Sequence, residues 1–290
     1  MRPLKEQTIL VTGATDGLGR RVAGKLAEQG ATLLVHGRDP VRGDEVMREI
    51  LRRGGRRESR LLLADLASLE EVRGLTDEVE RSVPRLDALV NNAGIAPGPE
   101  RRESADGVEL TFAVNYLSHF LLTARLIGLL NADRDHPSRI VNVASIGQQA
   151  IDFDDPLLER SYSQFRAYSQ SKLAQILFTV ELAERLGPDA ALTVNALHPA
   201  TLMDTRMVRE SGFGTPRSTV EEGAHATTRL VADEALDGVT GTYFDGTDEA
   251  RADPQAYDAG ARRRLWQVSE KLTGVSFDRS TGFGGLTERP

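Results

Sequence analysis

The chain has 290 residues, 40% of them apolar and 27% charged, and its 43 acidic against 36 basic residues give a formal net charge of −7. These proportions suit a chain that buries a large core and exclude a disordered tail or a fibrous repeat. The acidic excess removes any overall attraction to nucleic acid or an anionic membrane surface. The absence of cysteine rules out disulfides, thiolate zinc sites and cysteine nucleophiles.

The opening MRPLKEQTILVTGA lacks the long apolar core and small-residue cleavage pattern of a secretory signal. No later run approaches the roughly 18 apolar residues expected of a membrane helix, so a soluble, cytoplasmic protein is expected. Short apolar runs then alternate with helically spaced segments. Strands are predicted over 8–12, 32–35, 60–64, 88–90, 140–143 and 191–197, and helices over 18–29, 40–53, 68–83, 106–130 and 164–186. Asp39 and Ser68 are suited to begin helices, and Gly30 and Gly54 to end them. The near-continuous apolar strands read as covered on both faces, which with the alternation predicts a doubly wound, Rossmann-type α/β fold with a parallel sheet. No linker interrupts the series, so residues 1–290 are read as one domain, with a core over about 5–245 and a lid over about 202–218. From about residue 250 a peripheral helix and a mobile, glycine-rich end at 282–285 are expected. Arg52, Arg53, Arg56, Arg57 and Arg60 follow a predicted helix end, where cations complement the helix dipole and stay solvated.

The first predicted strand leads into Thr12-Gly13-Ala14-Thr15-Asp16-Gly17-Leu18-Gly19 and then a helix. Glycines there let the backbone turn tightly and approach a pyrophosphate, whose charge rests on the helix N-terminal N–H groups. The second strand ends at His36-Gly37-Arg38-Asp39. An acid at that point binds the ribose 2′-hydroxyl of NAD, whereas an arginine pairs with the 2′-phosphate of NADP. Arg38 comes first and Asp39 is better placed to cap the next helix, so NADP(H) is favoured over NAD(H).

Only four of the 36 basic residues are lysines, and Lys172 is alone between Lys25 and Lys271. It lies four residues after Tyr168 in a helical segment, which sets an ammonium beside a phenol on one helix face. None of Tyr116, Tyr162, Tyr243 and Tyr257 has a lysine at that spacing. A nearby cation favours the phenolate, so the pair makes a usable acid and base near neutral pH.

Together, TGATDGLG, the NNAG of Asn91–Gly94, Asn115, Ser145 and the YxxxK of Tyr168 and Lys172 resemble the short-chain dehydrogenase/reductase family over residues 5–245. The GRD at 37–39, ADG at 105–107, VNYLSHFLLT at 114–123 and SKLAQILFTVELAERL at 171–186 are similar to its retinol-dehydrogenase-like branch, which favours NADP(H). The resemblance implies an oxidoreductase interconverting a carbonyl and an alcohol. Tyr168 exchanges the proton, Lys172 lowers its pKa and binds the nicotinamide ribose, and Ser145 hydrogen-bonds the substrate oxygen. Asn115 distorts its helix and holds a water in a relay. Gly13, Thr15, Asp16, Gly17, Leu18, Gly19, Arg38, Asp65, Leu66, Asn92, Ala93, Gly94, Pro199 and Thr201 join Tyr168 and Lys172 around the cofactor. Taken alone, Asp65 is an acid capping a turn and Asn115 a helix-surface asparagine. The family also implies a homodimer or homotetramer through helices 106–130 and 164–186.

Two departures stand out. Ala200 replaces the family's glycine after Pro199, and 23 residues separate Ser145 from Tyr168 where many members use about a dozen. The added stretch, 149–164, is expected to form an ordered lip over the site. Apolar residues in the lid suggest a hydrophobic or mixed substrate. A sugar-nucleotide epimerase or dehydratase would use a different glycine spacing, and a silent cofactor-sensing regulator would be expected to lack part of the Asn-Ser-Tyr-Lys set. The five histidines show no metal-ligand spacing, so no metal is expected, and Ser145 lacks the first glycine of a GxSxG elbow.

Overall fold

The computed structural model describes residues 1–212, 214–277 and 286–288. Eight strands make one sheet: β1 (Thr8–Val11), β2 (Thr32–Gly37), β3 (Arg60–Leu63), β4 (Ala88–Asn91), β5 (Ser138–Val143), β6 (Leu192–His198), β7 (Tyr243–Asp245) and β8 (Asp248–Ala250). Their order is β3-β2-β1-β4-β5-β6-β7-β8, parallel throughout except for the closing β7–β8 pair. The order runs outward in both directions from β1 and β4, and such a switch point opens a crevice beyond the strands' carboxyl ends.

One face of the sheet carries α1 (Gly17–Glu28), α2 (Pro40–Arg52) and α8 (Val220–Ala232), whose Val22, Leu26, Val46, Ile50 and Leu230 share a core with the sheet residues Ile9, Val11 and Val35. The other carries α3 (Leu69–Ser82), a long helix over Leu110–Leu130 and α6 (Gln164–Leu186). The long helix comprises α4 (Leu110–Phe112), a π-helical turn (Ala113–Leu117) and α5 (Ser118–Leu130). It is long and apolar enough to cross a membrane by length and composition, contrary to the sequence expectation, but 83% of that window is buried within the fold. Being covered all round by protein, it needs no polar face.

Local signals explain several boundaries. Asp39 accepts from the N–H groups of Val41 and Arg42, and Ser68 from that of Glu71, so the expected caps start α2 and α3. Gly30 and Gly54 follow helix ends at φ +82° and +98°. The lid holds α7 (Arg206–Ser211), capped by Thr205, and its base is closed where Met203 bridges to Ser218. Phe213, expected in the lid, and the expected glycine-rich end lie outside the described residues.

The expectation of a peripheral C-terminal helix needs correction. In α9 (Ala259–Thr273), Leu265 and Trp266 are 1% and 2% exposed. Trp266 packs edge-on to Phe120 at 5.2 Å and lies 5.9 Å from Phe178, while β9 (Val275–Phe277) brings Phe277 to 4.6 Å from Trp266. Arg262 pairs with Glu181 and Glu184, and Ser269 hydrogen-bonds the buried Tyr116 hydroxyl at 2.6 Å. This segment therefore completes the core over α5 and α6.

Candidate active site

The glycine-rich turn is built by close approach. A Cβ on Gly19 would lie 2.4 Å from both Asn92 Nδ2 and the Gly13 carbonyl oxygen. Gly13 takes φ +61° with its hydrogens against Ala93, where a Cβ would stand 2.8 Å from a backbone atom. Thr12 joins this turn to the NNAG segment: its hydroxyl accepts from the N–H groups of Asn92 and Ala93, both at 2.9 Å, and Asn92 donates to its carbonyl at 2.7 Å. Asp16 caps α1 through the Gly17 N–H and Leu18 is buried beneath. Thr15 packs on Gly37, so the turn rests against the end of β2.

His36 also supports this turn. It is 3% exposed, its Nδ1 accepts from the Gly13 N–H at 3.2 Å, and its other ring nitrogen donates to the Ala64 carbonyl at 3.1 Å. Burial pushes its pKa down to about 4, which keeps Nδ1 free to accept. Arg38, beside it, is 71% exposed and reaches Asp65 only at 4.0 Å. Both line a groove of about 650 Å³ that also takes in Ile95 and Glu210 of the lid. Asp65 accepts from the Ala67 N–H, so it does cap the local turn, and Leu66 is buried.

Asn115 sits in the π-helical turn, where the expected helix distortion is found. Its Oδ1 accepts from the Ile95 N–H at 2.8 Å, and its Nδ2 donates to the Ile95 carbonyl and to Ser171 Oγ. The side chain thereby ties the NNAG loop to α6. Gly94 lies between them: a Cβ there would be 3.3 Å from Asn115 Oδ1 and 3.7 Å from Lys172 Nζ.

Ser145 is held on every side. Its carbonyl accepts from Gln148 Nε2 at 2.9 Å and from the Tyr243 hydroxyl at 3.2 Å, and its Oγ accepts from the Gly147 N–H at 3.0 Å and hydrogen-bonds Tyr168. A Cβ on Gly147 would fill the space 3.5 Å from Ser145 Oγ and 3.7 Å from the Tyr168 ring. Lys172 is 4% exposed, its Nζ 5.9 Å from the Tyr168 ring centroid, and it donates to the Val143 carbonyl at 2.8 Å and to Gln175 Oε1 at 3.0 Å. Burial lowers its pKa to about 7. The expectation that this cation depresses the Tyr168 pKa needs correction: burial raises it, and the opposing influence is the Ser145 hydrogen bond.

Pro199 packs near the start of α8, and Thr201 Oγ1 lies 3.0 Å from His198 Nε2. Ala200 has no left-handed backbone; in this stretch Leu202, at φ 48°, takes it instead. The 149–164 lip is ordered. Asp155 accepts from the backbone N–H groups of Glu159, Arg160 and Ser161, Tyr162 donates to the Gly98 carbonyl, and Gln255 exchanges two hydrogen bonds with the Ile151 backbone.

The glycine turn, Asn115, Ser145, Tyr168 and Lys172 thus converge on one crevice. A family model described as short chain dehydrogenase matches residues 7–213. The chain belongs to the short chain dehydrogenase family. Within it the chain is of the retinol-dehydrogenase-like branch. It is 38% identical to mouse (Mus musculus) retinol dehydrogenase 14 over 93% of this chain and 86% of the relative, and 36% identical to mouse polyprenol dehydrogenase over 97% and 88%. Among solved structures, a short chain dehydrogenase from Shigella flexneri complexed with NADP is 26% identical, covering 83% of this chain and 97% of its own, with a TM-score of 0.68. The protein is an oxidoreductase acting on CH–OH donors.

The residues missed at the sequence level are Thr12 as a clamp, His36, Gln148, Gln175 and Tyr243. Gln175 had a signal, a polar residue within the apolar run LAQILF. The others join segments distant in sequence and leave no spacing to read.

Proposed function

We propose that the protein interconverts an apolar alcohol and its carbonyl compound with NADP(H), using Tyr168 as the acid and base. The observation that carries this reading is the buried Lys172 beside a Tyr168 hydrogen-bonded to Ser145. The turn leads into the N-terminus of α1, whose N–H groups suit a pyrophosphate, and Gly13 and Gly19 let it pack tightly against Ala93 and Asn92. Bound there, the nicotinamide cofactor supplies or accepts the hydride.

Arg38 supports NADP(H), since it is exposed at the end of β2 while the Asp39 carboxylate is spent capping α2. In the reducing direction Tyr168 is in the right form. Its raised pKa keeps the phenol protonated at neutral pH, ready to donate to the carbonyl oxygen as charge develops there. Ser145 hydrogen-bonds the same oxygen, and the Gly147 N–H occupies one Ser145 lone pair, leaving its proton for the substrate. In the oxidising direction Tyr168 must start as the phenolate, stabilised by a charged Lys172, and becomes the phenol as it takes the alcohol proton. Ile146, 56% exposed directly after Ser145, and Phe165, 62% exposed one turn before Tyr168, support an apolar substrate, as do the retinol and polyprenol in the relatives' names.

The test is oxidation of NADPH against all-trans-retinaldehyde and a panel of aldehydes and ketones, beside Tyr168→Phe. Loss of about 10²–10⁴-fold in the variant is expected for a general acid. Full activity in Tyr168→Phe overturns the mechanism, and no turnover across the panel overturns the reaction.

A further inference from the structure

The mechanism asks a buried ammonium to stay charged, yet among the described residues no carboxylate pairs with Lys172. The charged and titratable groups facing it are Tyr168 on its own helix, His119 from α5 and His198 at the end of β6, with Asp245 from β7 acting on His198. Burial holds both histidines below their ordinary pKa, so near neutral pH they are uncharged and set no like charge against the ammonium. What the ammonium has are two neutral acceptors, the Val143 carbonyl and Gln175 Oε1. The first is backbone, so Gln175 is the side chain chosen for the task.

Gln175 is 1% exposed, one turn along α6 from Lys172. Its orientation is fixed by charge, because the flipped amide would set its NH₂ against an ammonium. His119, beside the Gln175 amide, donates from Nδ1 to the Asn115 carbonyl at 3.1 Å, and its other ring nitrogen lies 3.4 Å from Thr12 Oγ1.

We propose that Gln175 is a positioning residue whose side-chain carbonyl holds the Lys172 ammonium beside Tyr168 and favours its charged form in place of a counter-ion. A neutral acceptor suits this task better than a carboxylate, which would neutralise the ammonium and oppose a phenolate nearby. The proposal rests on the reading of Tyr168 and Lys172 as the working pair.

The chain's four lysines make the test direct. Protein carrying ¹³C at lysine Cε is titrated by NMR, the Lys172 signal being the one absent from Lys172→Arg. It is expected to titrate well below the other three. Gln175→Leu lowers that midpoint further, by on the order of one pH unit, whereas Gln175→Glu raises it above wild type. Unchanged midpoints, or shifts of the same sign, overturn the proposal. A general packing defect does not move the midpoint in opposite directions, and near-UV circular dichroism reports the fold of each variant. If Gln175→Leu does not fold, Gln175→Glu, nearly identical in shape, decides alone by whether the midpoint rises. Alkaline limbs of the NADPH–retinaldehyde rate profile should shift in parallel. Absence of retinaldehyde turnover would count against the proposed function while leaving the NMR result to decide the role of Gln175.

Discussion

His36 and His119 are buried imidazoles kept neutral by their surroundings, with pKa values of about 4 and about 3. An unfolded histidine titrates near 6.5, so below that pH the unfolded chain binds more protons than the folded one. Stability from His36 is therefore complete above about pH 6.5 and is lost as pH falls toward 4, to a total of about 3 kcal/mol. His119 adds a loss of the same sign. Urea denaturation between pH 4 and 7 checks this, and a flat profile would contradict it. The chemistry gives the same direction, since a protonated His36 cannot accept from Gly13. At Gly19, alanine must overlap Asn92 and the backbone of Gly13. Overpacking costs about 1–3 kcal/mol, so Gly19→Ala should weaken NADPH binding by roughly tenfold or more in a fluorescence titration. Arg38→Asp should weaken NADPH far more than NADH, and an equal effect on both would reject the NADP(H) reading.

At the scale of elements, α9 and β9 form part of the core's wall. Trp266 meets Phe120, Phe178 and Phe277, with the Arg185 guanidinium stacked 4.0 Å from its ring. Trp266→Ala should cost about 3–5 kcal/mol, read as a lower urea midpoint. A loss below 1 kcal/mol would mean the helix is indeed peripheral. The sequence shows α6 clearly, since the helix is found over 164–186 as expected, and the structure adds its Ser163 cap and Gly187 end. It shows α8 poorly. That helix carries Gly223, Ala224, Ala226, Thr227 and Thr228 among its buried positions, and small residues give a faint periodic signal although they pack closely against α1. Strands β7 and β8, three residues each, are too short to display any period.

For the whole molecule, the expected pairing through helices 106–130 and 164–186 meets a physical obstacle. Within one chain, nearly every residue of α5 is already buried, and α6 leaves only Phe165 and Glu184 exposed. A partner would have to displace the elements that cover those helices, such as α3 on α5 and α9 on α6. Light scattering is expected to give the mass of one chain, 31.6 kDa. A dimer that dissociates on substitution of residues facing outward from α5 or α6 would overturn this.

By itself the sequence determined the parallel α/β sheet, the glycine-rich turn after β1 and the placing of Tyr168 and Lys172 on one helix face. Those features rest on local periodicity, on glycines that tolerate no Cβ and on an i, i+4 spacing within one helix. Tertiary structure decided the protonation states. Whether Tyr168 is held above or below its usual range depends on burial and on hydrogen bonds such as that from Ser145, and burial is a property of everything packed around a group. It also decided that the C-terminal helix closes the core, because an amphipathic segment shows that it has an apolar face but not which surface that face will cover.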